Sequence, residues 1–94
     1  MHYSQRDFAK ALDYYKKALA IREKVLGGEH KSVAATCHDI GVVYRTQGNY
    51  TEALEYLNRA YDIRLKKYGP DHAKTKDTAK KIEQTKQDIE EQKK

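Results

Sequence analysis

Val33 to Tyr68 reads VAATCHDIGVVYRTQGNYTEALEYLNRAYDIRLKKY, two apolar-periodic segments joined at Gly48-Asn49. In the first, Val33, Cys37, Ile40, Gly41 and Tyr44 recur at steps of three and four, the spacing that lines one face of a helix. Tyr50, Ala53, Leu54, Leu57, Ala60, Tyr61 and Tyr68 do the same in the second. Gly48 closes the first helix, because a residue without Cβ enters the left-handed conformation at little cost. So short a break allows only a tight reversal, and the two helices are predicted to lie antiparallel.

Laid over itself at an offset of 42 residues, the chain repeats this unit in part. Asp7 to His30 (DFAKALDYYKKALAIREKVLGGEH) falls on Asn49 to His72 (NYTEALEYLNRAYDIRLKKYGPDH), with Ala, Leu, Tyr, Ile, Arg, Lys, Gly and His in step. A fixed period in this range marks a repeat array. A first helix is therefore predicted from between Ser4 and Asp7 to Leu26, with Phe8, Ala11, Leu12, Tyr15, Ala18, Leu19, Val25 and Leu26 on one face. Gly27-Gly28 ends it. The second is predicted from about Ser32, a candidate N-cap, to Gln47, and the third from Tyr50 to Lys67, ended by Gly69-Pro70.

The segment from Ala73 to Lys94 keeps Thr78 over Thr36 and Ile82 over Ile40, then departs: Glu83 replaces Gly41 and Lys86 replaces Tyr44. A glutamate where a glycine admits the next helix predicts a polar terminal helix that closes the array, frayed beyond Ile89. Thr75, Thr78, Ile82, Thr85 and Ile89 also step three-four-three-four, which leaves a weak coiled-coil seam as the alternative.

Composition bounds the rest. Charged residues are 35% of 94, with one Pro and no Trp, and apolar residues follow helical spacing, so the fold is all-α with about four helices. No run of about 18 apolar residues exists to span a membrane. Met1 to Arg6 lacks the apolar stretch of a signal peptide, and the single Cys37 has no disulfide partner, so a reducing, cytoplasmic setting is expected.

These residues resemble one family. Cys37-x2-Ile40-Gly41-x2-Tyr44 followed by Gly48-x-Tyr50-x2-Ala53-x3-Leu57-x2-Ala60 is similar to the tetratricopeptide repeat (TPR), with Cys37 standing where Trp or Leu is usual. Ala60-x2-Ile63-Arg64-x-Lys66-x2-Gly69-Pro70-Asp71-His72, and its copy at Ala18 to His30, resembles the 42-residue kinesin-light-chain type. The resemblance implies a right-handed solenoid fragment of antiparallel helix-turn-helix units. Residues 1–6 would be a remnant or helix start, 7–31 the second helix of a truncated first repeat, 32–72 a complete repeat and 73–94 the capping helix.

It also implies a concave groove for a protein or peptide partner, carried here by Ala35, His38, Val42, Arg45 and Thr46 with Asp77, Lys80, Gln84 and Gln87. Asp39 stands where relatives that grip a C-terminal carboxylate have Asn, which disfavours that mode. The net charge of +5 suits an acidic peptide. A second reading is a homo-oligomer: the face of Phe8, Leu12, Tyr15 and Leu19 lacks its first-helix partner and another copy could cover it. Nucleic-acid binding is disfavoured because acidic residues interleave with the lysines. Tyr14 and Tyr56, at matching outward positions, are available to a partner.

Chemistry finds no foothold, and no enzyme, cofactor or metal is expected. His30 and His72 are one position in two repeats and are expected to bond locally at helix starts. His38 and Asp39 point in different directions, Cys37 lies on a core stripe, and Gly27-Gly28 sits at the helix end that repels anions.

Overall fold

The computed structural model describes residues 5–93, which form four helices: α1 (Gln5–Leu26), α2 (Lys31–Gln47), α3 (Tyr50–Tyr68) and α4 (Ala73–Gln92). Consecutive helices pack on one another, and α2 also touches α4. The expected Ser4 start lies outside the described residues.

Helix ends follow local chemistry that the repeat duplicates. The α2 N-cap is His30, not Ser32: the His30 Nδ1 accepts the Ser32 amide at 3.0 Å. His72 caps α4 in the same way, accepting the Lys74 amide at 3.1 Å. An imidazole nitrogen thus satisfies one of the donors that every helix start leaves open. Gly48 adopts φ 88°, ψ 7°, and its amide bonds the Arg45 carbonyl, so the left-handed closure expected there is present. Helix α3 continues one residue past Lys67, and α4 runs three residues past Ile89.

The core lies between α1, α2 and α3. Val33, Ala34, Cys37 and Ile40 of α2 are sealed, with Leu12 and Leu19 on one side and Ala60 and Ile63 on the other. Helices α2 and α3 come close at Gly41, where a Cβ would stand 2.6 Å from Leu57 Cγ and 3.1 Å from the Ala53 carbonyl oxygen. The Thr75, Thr78, Ile82 and Thr85 row of α4 is buried. That row packs against the preceding helices and is not a free coiled-coil stripe. Glu83 is exposed to solvent.

Two further sequence expectations, both on α1, change. Val25 and Leu26, placed on the core face of α1, are exposed, because α1 packs its length against α2 and, among the described residues, no helix lies over their side of it. Leu12 and Leu19, assigned to an uncovered face, are buried; they are the side of α1 that α2 covers. Tyr15 packs beside them and Phe8 is half-buried.

Inter-repeat contacts reuse one pair. Arg22 Nη1 donates to Thr36 Oγ1, and 42 residues on, Arg64 Nη1 donates to Thr78 Oγ1 at 2.8 Å. Each threonine also donates back to the carbonyl four residues earlier, Ser32 or Lys74. The two pairs differ in setting: Arg22 is exposed, whereas Arg64 is buried and also donates to the Lys74 carbonyl at 3.3 Å.

Candidate peptide groove

The inner faces of α1, α2 and α4 enclose a depression of about 330 Å³. Its apolar lining comes from Phe8, Ala11 and Tyr15 of α1 and from Val42 and Val43 of α2. Polar groups enter at the edge: His38, Asp39 and Thr46 from α2, and Lys81 from α4. Helical spacing sets the α2 contribution, since 38, 42 and 46 stack one turn apart.

Of the residues assigned to a groove from sequence, His38, Val42 and Thr46 line the depression. Ala35 and Lys80 are exposed outside it, as are Asp77 and Gln87. Arg45 is engaged across the helices: its Nε donates to Asp88 at 2.8 Å and its Nη1 to Gln84 at 3.3 Å, which ties α2 to α4. Arg45 and Gln84 therefore act as a strut beside the depression. Sequence reasoning missed Lys81 and Val43, and weighed Asp39 only as a residue that disfavours a carboxylate grip. The repeat offset held the signal for Lys81, which lies 42 residues after Asp39 and so occupies the same groove position on the next helix.

His38 is a wall rather than a free ligand-binding group. It is 8% exposed; its Nδ1 lies 3.1 Å from Thr78 Oγ1 and its Nε2 3.5 Å from Asp77. Burial, and then the Arg64 guanidinium 3.5 Å away, push its pKa below the ordinary 6.5, against the pull of Asp77 and Asp39. The neutral ring is the form this joint holds.

A pH dependence follows. Below about 6.5 the unfolded chain takes up a proton on His38 that the folded chain resists, so stability falls with pH from there down to the lower folded value. Asp39, whose carboxyl burial pushes above 3.8, acts with the opposite sign in the acid range. The thermal midpoint, followed by circular dichroism, is expected to drop as pH is lowered from about 7 to 5. His38→Gln is expected to flatten that drop, and an unchanged slope would remove His38 as its source.

The other candidates are structural. Cys37 is fully buried, and burial raises its thiol pKa, so it is held as an uncharged packing group. Tyr56 is not outward: it is half-buried and stacks on Tyr44 with ring centroids 5.8 Å apart, while Tyr14 is 68% exposed. Lys16 sits over the Tyr44 ring at 5.2 Å. Among the described residues no group of three or more His, Cys, Asp or Glu is placed to hold a metal, and no helix is long and apolar enough to cross a membrane.

Comparison with known proteins bears on this geometry. A family model of the tetratricopeptide repeat matches residues 1–66 and, in a second match, residues 39–94. No curated protein matches the chain.

Proposed function

The chain belongs to the tetratricopeptide repeat family, whose repeats mediate protein–protein interaction, and from that premise we propose that it is a non-catalytic scaffold binding a peptide segment of a partner in the depression between α1, α2 and α4. The observation that carries this reading is the juxtaposition of an apolar floor, Tyr15, Val42 and Val43, with Lys81 at its edge. Such a site takes one apolar side chain of a peptide and offers a cation to an acidic neighbour of that side chain. The 42-residue period supports the kinesin-light-chain-like form of the repeat. A free thiol kept buried supports a reducing, cytoplasmic setting.

A displayed library of random peptides, selected on the whole chain, tests it. Enriched peptides are expected to share an apolar anchor next to Asp or Glu. Val42→Asp, a change at a half-buried position that leaves the core intact, is expected to weaken them by about tenfold or more, because it puts a charge where the anchor sits. Lys81→Glu is expected to select against the acidic neighbour alone. Equal binding to wild type and Val42→Asp would place the site elsewhere.

A further inference from the structure

Helix α1 turns to solvent a face that the repeat covers elsewhere. Tyr14, Ile21 and Val25 are 68%, 63% and 73% exposed, and with half-buried Ala18 they step four, three and four along the helix, a straight seam. Forty-two residues later the first three equivalents, Tyr56, Ala60 and Ile63, lie under α2: Tyr56 stacks on Tyr44, Ala60 is sealed and Ile63 is 3% exposed. No helix among the described residues plays the part of α2 for the α1 seam.

Charge says what would fit there. Lys10, Lys17 and Lys24, each seven residues apart, border the seam on one side, and Arg22 borders it on the other. The row matching Lys17 and Lys24 in α3 is Arg59 and Lys66, and both are met by carboxylates from the preceding unit. Arg59 donates to Glu23 at 2.9 Å and Lys66 to Glu29 at 2.7 Å. Lys17 reaches only one turn back on its own helix, to Asp13 at 3.2 Å, a pair exposed on both sides. One unit along, then, this row is met by acids, there supplied by α1 and by the turn before α2 rather than by α2 itself.

We propose that the Tyr14–Ala18–Ile21–Val25 seam docks an amphipathic helix of a partner protein whose apolar ridge is bordered by aspartates or glutamates, these acids meeting Lys17 and Lys24. A second copy is a poor occupant. Two α1 seams would bring lysine row against lysine row. Helix α2 is already enclosed by α1 and α3, and α4 carries Glu83 at the position where α2 needs Gly41 to approach its neighbour. None of the seam residues lines the Val42 depression, which the seam meets only where Tyr14 packs edge-on to Tyr15, so Val25→Asp and Val42→Asp test the two proposals separately.

The probes are two synthetic helical peptides with the apolar spacing of α2, one with glutamates and one with lysines at the flanking positions, labelled for fluorescence anisotropy against the whole chain. The glutamate peptide is expected to bind about five- to tenfold more tightly than the lysine one, a preference that shrinks at high salt. Lys17→Glu/Lys24→Glu is expected to invert the preference, and Val25→Asp to weaken both peptides. All three residues are exposed, and unchanged circular dichroism confirms that each variant is folded. The proposal is overturned by equal affinity for the two peptides, by indifference to Val25→Asp, or by no binding up to about 1 mM. It is also overturned by a dimer in light scattering that Val25→Asp abolishes, which would make a second copy the occupant.

Discussion

Gly41→Glu is expected to abolish cooperative folding of the chain, whereas Glu83→Gly, the reverse exchange one repeat along, is expected to leave the fold intact. At Gly41 a Cβ alone would stand 2.6 Å from Leu57 Cγ, 2.9 Å from Leu57 Cδ2 and 3.1 Å from the Ala53 carbonyl oxygen. Leu57 is fully buried and Ala53 presents backbone, so neither has room to retreat without parting α2 from α3. Overpacking of this kind costs about 1–3 kcal/mol, and a carboxylate enclosed beside apolar groups adds several more, so the total is about 4 kcal/mol or above. A chain of this size holds roughly 5–14 kcal/mol in all. At Glu83 the side chain is exposed and its loss costs only the helix preference of glutamate over glycine, about 1 kcal/mol. Thermal melts by circular dichroism separate the two: a broad, low-ellipticity trace for Gly41→Glu and a modestly lowered midpoint for Glu83→Gly. A cooperative Gly41→Glu melt within a few degrees of wild type would mean that α2 and α3 do not cross as described.

The second large effect is expected from Arg64→Ala, with Arg22→Ala as its counterpart. Arg64 is 8% exposed and joins three elements: its Nη1 donates to Thr78 Oγ1 at 2.8 Å and to the Lys74 carbonyl at 3.3 Å, and lies 3.5 Å from His38. Truncation leaves a buried hydroxyl and carbonyl with less hydrogen bonding and a void where the side-chain stem packed. Each unsatisfied group costs about 1–3 kcal/mol. Arg64 Nε itself has no partner among the described residues, so the wild-type arrangement is not fully satisfied and the net loss is expected near 3 kcal/mol rather than higher. Arg22 makes the same bond, to Thr36, from an exposed position where water replaces it, and Arg22→Ala is expected to cost under about 1 kcal/mol. Denaturant titration checks the difference, and hydrogen exchange locates it: for Arg64→Ala the amides of α4 should lose protection first. Equal losses for the two variants would show that burial does not distinguish the two copies of the pair.

Much of the helical order was legible in the residues alone. Periodicity at Val33, Cys37, Ile40 and Gly41 marks the central helix, and all four are buried. Gly48, in the left-handed conformation, stands where the chain has to reverse. Less legible was which side of a helix meets which neighbour. Leu12, Leu19, Val25 and Ile21 are all apolar and share one helix, yet Leu12 and Leu19 are buried while Ile21 and Val25 are among the most exposed apolar residues described. Periodicity reports that a side is apolar; it does not report whether a neighbouring helix exists to cover it. His38 shows the same limit for the groove. Its spacing with Val42 puts it on the inner side, but only the approach of α4 turns it into a buried joint with Thr78.

By itself the sequence determined the all-α class, the 42-residue repeat, the helix stops and the polar character of the last helix, because these rest on backbone preferences and on spacing within a few residues. The tertiary structure decided which charges are engaged and which apolar faces are left open. Arg45 bound to Asp88, Lys16 over Tyr44, Arg64 sealed where Arg22 is bare, and Tyr14 exposed where Tyr56 is stacked all depend on residues brought together from different helices. Local spacing places a side chain on a face, and what that face meets is set by packing between elements distant in the chain.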